Sequence, residues 1–128
     1  MRLKVKKGIP ILITVVITLL VGFVLIAFML RPQVLDIKDV DFNTIADGEY
    51  IGICQNKILL AVVKVHVKDH EISDIEILEH KDSYMEQAKQ IADGVCSNQS
   101  LDVDAVSGAT LTSSTVLKAI ENALTENP

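Results

Sequence analysis

Hydroxyl side chains are concentrated in one short stretch of the chain, "DAVSGATLTSSTVLKAIENAL", residues 104–124. They are Ser107, Thr110, Thr112, Ser113, Ser114 and Thr115, and they flank Gly108 and Ala109. A helix needs one N-cap hydroxyl, and Thr112, Ser113 or Ser114 would fill that role. Glycine before a helix also lets an anion approach the first N–H groups. The stretch therefore fits either simple capping or a phosphate site with extra hydrogen bonds from Ser107, Thr110 and Thr112.

The elements before this stretch predict a small α+β domain. Strands are expected at residues 49–54, 58–68 and 71–80, and helices at residues 83–95 and from about Ser113 to Leu124. The second strand alternates valine with polar side chains, which is typical of a half-buried antiparallel strand. Turns are expected at 55–57 and at Asp69-His70, and Gly94 is expected to end the first helix. Strands followed by helices predict an antiparallel sheet with helices packed on one face.

A charge-free segment, Ile9 to Leu30, precedes this domain. As a helix it would be about 33 Å long, enough to cross a bilayer core. No A-x-A cleavage pattern follows, so an uncleaved signal anchor is expected. The basic residues before it are Arg2, Lys4, Lys6 and Lys7, whereas only Arg31 and Lys38 follow closely. This asymmetry predicts a single-pass protein of the cell membrane, with a cytoplasmic N-terminus and an extracytoplasmic C-terminal domain.

The expected organisation is a basic tail at 1–8, the transmembrane anchor at 9–30, a juxtamembrane spacer at 31–46 and the globular domain at 47–128. The whole chain of 128 residues has a net charge of −5. Beyond the basic tail, the chain has eight basic and 17 acidic side chains, a net charge of about −9 with neutral histidines. Because nucleic-acid binding needs a basic surface, this balance argues against a nucleic-acid partner.

The sequence Asp104-Ala105-Val106-Ser107-Gly108-Ala109-Thr110 resembles the D-x-x-[ST]-G-A-[ST] motif of the FMN-binding domain family. This family includes peripheral subunits of the Rnf and sodium-translocating NADH:quinone reductase complexes. The similarity extends through "DGEYIG", "VKVHVKDHEISDIEILEH" and "QSLDVDAVSGATLTSSTVLKAIENAL", and so covers roughly residues 47–125. The chain is therefore identified as a membrane-anchored, single-domain member of that family.

In that family the last threonine of the motif carries FMN through a phosphoester bond, which an ApbE-type flavin transferase makes from FAD. The resemblance implies covalent FMN on Thr110, with cofactor contacts from Asp104, Ser107, Gly108, Ala109, Leu111 and Thr112. It also implies an electron carrier that lies at the lipid bilayer and exchanges electrons with membrane redox partner proteins. The alternative is a non-redox or accessory module that binds FMN or another phosphate ligand non-covalently.

The residues of the motif agree with attachment by another protein. A threonine hydroxyl is a poor nucleophile unless a base or a metal activates it. Asp104 is the titratable residue of the motif and no metal-ligand cluster accompanies it, so a transferase supplying Mg²⁺ is expected. Asp104 would either order the loop or help the transferase recognise it. No catalytic constellation for a flavin reductase is evident outside the motif.

Two cysteines, Cys54 and Cys96, fall in the predicted extracytoplasmic part, where a disulfide can form. Two small buried apolar residues are an equally good interpretation. Both tyrosines, Tyr50 and Tyr84, are potential stacking partners for a flavin ring, although packing is the commoner role of tyrosine.

The three histidines, His66, His70 and His80, have irregular spacing, so solvated side chains are expected and a metal site is not. His80 follows the predicted hairpin, where it would approach the flavin.

Overall fold

The computed structural model describes residues 8–126, which form two compact units that meet between Arg31 and Pro32. The first unit is helix α1, Gly8–Met29, which has no acidic residue in its first turn and no basic residue in its last. Thr14 and Thr18 donate their hydroxyls to the carbonyls of Pro10 and Thr14, so these polar groups are satisfied inside the helix. In the described residues α1 is the one helix that is long and apolar enough to cross a membrane.

The second unit contains a three-stranded antiparallel sheet of order β1–β2–β3, formed by Gly48–Asn56, Leu59–Lys68 and Glu71–Glu79. The predicted turn at Asp69-His70 is confirmed, and both residues have positive φ, 53° and 62°. That backbone suits the right-handed twist of a two-residue hairpin. The first hairpin turns at Lys57 and Ile58, slightly later than predicted, because Asn56 still pairs with Leu59 in the ladder.

Two helices, α2 (Met85–Asn98) and α3 (Thr110–Glu126), pack on one face of this sheet, as the sequence predicts. Val63 and Val65 of β2 are completely buried beneath them. Gly52 of β1 lies directly under α3. A Cβ at this position would overlap the backbone of Ala119 and Ala123, so only glycine lets α3 approach β1 this closely.

Helix α2 is longer than predicted, and the expected end at Gly94 is wrong. The helix continues through Gly94, where Val103 lies so close that an added Cβ would be 3.0 Å from its methyl group. Its last residue is Asn98, and the C-cap residue Gln99 has a φ of 51°. The Gln99 amide then accepts from the Ile72 N–H and donates to the Ile72 carbonyl, each at 2.8 Å, and so covers part of the β3 edge.

Helix α3 begins three residues before the predicted start. The Ser113 N–H donates to the Ala109 carbonyl at 2.9 Å, which closes the first turn in front of the expected cap. Thr112, Ser113 and Ser114 therefore lie inside the helix and are buried. The prediction that one of them caps α3 is wrong, because the turn before the helix positions Ala109, and not a hydroxyl residue, as the first carbonyl acceptor.

Residues 32–46 belong to the second unit and contact β1 and α3. The Asn56 side chain accepts from the Gln33 N–H at 3.0 Å and donates to the Gln33 carbonyl at 2.6 Å. The buried Glu121 carboxylate accepts from the Lys38 N–H at 2.7 Å and pairs with Lys118. Phe42 and Ile45 add their side chains to the core. This segment is thus fixed by polar contacts to β1 and α3 as well as by apolar packing.

Cys54 and Cys96 are free thiols, Cys54 being buried and Cys96 partly buried, so the interpretation as small buried residues fits Cys54 fully and Cys96 in part. Burial raises the pKa of both thiols. Because the thiolate is the reactive form of cysteine, a raised pKa disfavours that form at both positions.

Candidate functional site

The loop in front of α3 is held in a fixed shape by a turn over residues 106–109. The Ala109 N–H donates to the Val106 carbonyl at 2.9 Å, and Gly108 has a φ of 78°, which glycine adopts without strain. The Ser113 hydroxyl accepts from the Val106 N–H at 3.0 Å and donates to the Ala109 carbonyl at 2.7 Å. Ser113 therefore joins both ends of the turn to the helix.

This turn delivers Thr110 to the first position of α3, with an exposed side chain. Ser113 donates the first i→i−4 bond of the helix. The N–H groups of Thr110, Leu111 and Thr112 precede that bond and have no partner within the helix. Together with the helix dipole, such groups attract an anion. A Cβ added at Gly108 would meet no atom within 4 Å, so the approach to them is open.

A cavity of about 490 Å³ lies beside this helix end. Its lining comes from several segments of the domain and consists of Pro32, Ile58, Leu59, Lys81, Tyr84, Gly108, Ala109, Thr110, Leu111 and Thr112. Its volume is in the range of small-molecule sites, and such sites combine apolar walls with a few polar groups. Lys81 is the charged residue of this lining, and its Nζ lies 5.9 Å from the centre of the Tyr84 ring.

His80 reaches this cavity only through Thr112. It is 7% exposed, its Nδ1 lies 2.9 Å from the Leu60 carbonyl, and its Nε2 lies 3.2 Å from the Thr112 hydroxyl. Because a carbonyl only accepts, Nδ1 carries the proton, and in the neutral ring Nε2 accepts from Thr112. The expectation of a solvated His80 is wrong, since the side chain fills a polar gap between β2 and α3.

The structure brings together five of the seven residues that the sequence predicts for the site. Gly108, Ala109, Thr110, Leu111 and Thr112 line one wall of the cavity. Asp104 and Ser107 are exposed and do not belong to the lining. Neither makes a side-chain hydrogen bond within residues 8–126.

Most of the other lining residues are missing from the sequence prediction. Pro32, Ile58, Leu59 and Lys81 carry no motif, and their contribution follows only from how the chain folds. Tyr84, which the sequence offers as a potential stacking partner, lines the cavity. Tyr50 instead donates its hydroxyl to the Ala46 carbonyl at 2.6 Å.

The other two histidines make local contacts. His66 lies 3.3 Å from the Glu49 carboxylate and 3.6 Å from the Glu76 carboxylate on the open face of the sheet. His70 contacts the Ile45 carbonyl at 3.0 Å through Nδ1. Across the part of the chain that the structure describes, no group of three or more histidine, cysteine, aspartate or glutamate side chains forms a candidate metal site.

A structured loop, an open helix N-terminus and an apolar cavity are together suited to a phosphate-bearing cofactor. Residues 61–125 match the family model of the FMN-binding domain, from β2 to the last turns of α3. The chain belongs to the FMN-binding domain family, and FMN is its cofactor. No curated protein sequence matches the chain.

The residues present fit FMN. The N–H groups of the first turn of α3 suit its phosphate, and the open space at Gly108 admits that group to the backbone. The apolar side chains of Ile58, Leu59 and Leu111 suit a flat, largely apolar ring.

Proposed function

We propose that this protein is a membrane-anchored, extracytoplasmic electron carrier whose FMN is joined to Thr110 by a phosphoester bond. The position of Thr110 is the observation that carries this proposal. It is the exposed hydroxyl that lines the cavity at the first residue of α3, next to N–H groups that attract a phosphate. Thr112, the other threonine of the cavity lining, is buried and bonded to His80.

In this proposal an ApbE-type transferase attaches the cofactor. The Thr110 Oγ1 forms a bond to the FMN phosphorus of FAD, the pyrophosphate linkage of FAD breaks, and AMP leaves. The hydroxyl proton passes to a base of the transferase. A separate enzyme is needed because threonine is a weak nucleophile by itself, and the residues that line the cavity include neither a carboxylate nor an imidazole.

The chain's own residues then hold the cofactor in place. The first turn of α3 binds the phosphate, the apolar walls exclude water from the ring, and Tyr84 offers an aromatic face. FMN supplies the redox chemistry when bound, and the protein sets its orientation and surroundings. A covalent link keeps the local cofactor concentration high where a dissociated flavin would diffuse away.

The N-terminal helix α1 determines where this carrier is located. Helix α1 is a candidate membrane span, and four basic residues precede it. By the positive-inside rule, the N-terminus is cytoplasmic and the FMN-binding domain is extracytoplasmic. A domain held at the membrane surface exchanges electrons with redox partner proteins of the same membrane.

Intact mass measurement tests the attachment. The full chain is produced in a host that contains the transferase, and it is denatured before mass analysis. We expect a gain equal to FMN minus one water, absent from Thr110→Val and retained in Thr112→Val. A wild-type chain without this gain, but with flavin released on denaturation, identifies a non-covalent binding module and contradicts the proposal.

Reporter fusions test the topology. We expect alkaline phosphatase fused after Pro128 to be active and a cytoplasmic reporter at the same position to be inactive. The opposite pattern contradicts the extracytoplasmic location.

A further inference from the structure

Lys81 lines the cavity and lies in a segment whose backbone is held by hydrogen bonds on both sides. It lies between β3 and a short 3-10 helix, Asp82–Tyr84. The residue before it, His80, is held by Leu60 and Thr112. On its other side, the Tyr84 N–H donates to the Lys81 carbonyl at 2.9 Å. These bonds fix the backbone on both sides of Lys81, and its ammonium group lies 5.9 Å from the centre of the Tyr84 ring.

The charge of Lys81 has no carboxylate partner. In the described part of the chain the salt bridges involve Lys64, His66 and Lys118, and none involves Lys81. The rest of its cavity is apolar or carries hydroxyls. Because Lys81 is also the charged residue of the cavity lining, its charge is available to a ligand that carries negative charge.

FMN carries negative charge in two places, on its phosphate and on its reduced ring. The phosphate bound to Thr110 would already have the N–H groups of the first turn of α3 as its partners. Lys81 shares the cavity lining with Ile58, Leu59 and Tyr84, and its Nζ lies 5.9 Å from the centre of the Tyr84 ring. These side chains suit the ring, and a ring held by them would lie beside Lys81.

Two-electron reduction with uptake of one proton from solvent adds one negative charge to a flavin ring, on its N1–C2 carbonyl side. We propose that Lys81 stabilises this charge and thereby raises the reduction potential of the flavin carried by Thr110. This assignment rests on the proposed function. It makes Lys81 the residue of this chain that tunes the cofactor, while α3 fixes the phosphate.

The size of the effect follows from the exposure of Lys81. Its side chain keeps contact with water, so the charge acts through a high effective dielectric constant and not through a dry interior. We expect removal of the charge to lower the ratio of reduced to oxidised flavin about tenfold at a given solution potential. For a two-electron couple this corresponds to a potential about 30 mV lower.

Redox titration of the flavinylated full chain tests the assignment, with dithionite as reductant and flavin absorbance as the signal. Lys81→Met keeps the length of the side chain and removes its charge, and Lys81→Arg restores a charge. Lys89→Met, at an exposed position of α2 outside the cavity, is the matched control. We expect the tenfold change in Lys81→Met alone, with Lys81→Arg and Lys89→Met within twofold of the wild type.

Mass analysis of every sample separates the two proposals. A flavinylated Lys81→Met chain with an unchanged potential overturns the role of Lys81 and leaves the proposed function intact. Flavin attachment lost in Lys81→Met and kept in Lys81→Arg also overturns it, because the cation would then serve the phosphate or the transferase. A wild-type chain without covalent FMN ends both proposals.

Discussion

Two groups of hydroxyls at the start of α3 have opposite surroundings. Thr112, Ser113, Ser114 and Thr115 are buried, and each is hydrogen bonded inside the domain. Ser107 and Thr110 are exposed, and neither side chain has a hydrogen-bond partner in the region that the structure describes. The buried hydroxyls need these internal hydrogen bonds, since an unsatisfied buried hydroxyl costs about 1 to 3 kcal/mol. The exposed group is free for chemistry with another molecule.

The body and the front end of α3 differ in the same way. Its body is closely packed against the sheet at Gly52 and tied to residues 32–46 through Glu121. Its front end, from the turn at Gly108 to Thr110, faces a cavity. Because the body of α3 is fixed by packing, it holds the Thr110 hydroxyl in place at the open front end of the helix. Substitutions in the body should therefore change stability, and those at the front should change cofactor attachment.

The largest effect on stability is expected from Gly52→Ala. Its methyl group would overlap the backbone of Ala119 and Ala123, which cannot yield as a side chain would. We expect a loss of about 3 kcal/mol or more in the free energy of unfolding, measured by denaturant titration. Gly108→Ala is the matched control at the front, where a methyl group has space but φ is positive. It should cost about 1 to 2 kcal/mol, and equal losses in both variants would contradict the distinction.

A smaller effect is expected from Glu121→Ala. This change removes the acceptor of the Lys38 N–H and the partner of Lys118. Hydrogen bonds to charged groups contribute about 1.5 to 3 kcal/mol, so a loss of about 2 kcal/mol is expected in the same titration. Glu121→Gln keeps an acceptor and should lose less. Flavin attachment should persist in both variants, and its loss in Glu121→Gln would show that body and front are not independent.

A double-mutant cycle of His80→Ala and Thr112→Val measures the link between the body and the cavity wall. The two side chains share one hydrogen bond of 3.2 Å. We expect a coupling energy of about 1 kcal/mol between them. A coupling energy near zero would mean that the buried pair does not hold Thr112, and the contrast between bonded and unbonded hydroxyls would weaken.

The smallest effect is expected at Asp39, which ties residues 32–46 to the loop after α2. The hydrogen bond from the Leu101 N–H holds the pKa of this carboxyl below its ordinary value of 3.8. A lowered pKa stabilises the fold above the unfolded-state value, and this contribution disappears as the pH falls through the folded-state value. Because Asp39 is exposed, we expect a few tenths of a kcal/mol at pH 6 after solvent screening.

Asp39→Asn checks this by denaturant titration at several pH values. The difference from the wild type should be constant at neutral pH and should fade below about pH 3.8. A difference that grows on acidification would contradict the assigned sign.

Periodicity predicts the fold well where burial alternates. The valines of β2 are buried on one face, and the Asp69-His70 turn lies where the pattern reverses. The helix ends are predicted less well, because tertiary contacts decide them. Gly94 does not end α2 since Val103 packs on it, and Gln99 adopts the left-handed conformation to pair with Ile72. No local pattern contains either contact.

The candidate site divides in the same way. The wall from Gly108 to Thr112 is contiguous in sequence, so the motif predicts it directly. Pro32, Ile58 and Lys81 come from three separate segments, which only the folded sheet brings to one cavity. The hydroxyl residues also suggest the wrong start for α3. Thr112, Ser113 and Ser114 are typical N-cap residues, but the bond from the Ser113 N–H to the Ala109 carbonyl places all three inside the helix.

Peptide mapping of the flavinylated wild-type chain tests the central claim most directly. Fragmentation of the peptide that spans residues 104–118 separates Thr110 from Ser107 before it and from the buried hydroxyls after it. The account predicts that the FMN phosphate is found on Thr110 alone, and that Ser107→Ala leaves it there. FMN on Ser107, or on any of Thr112, Ser113, Ser114 and Thr115, would contradict it.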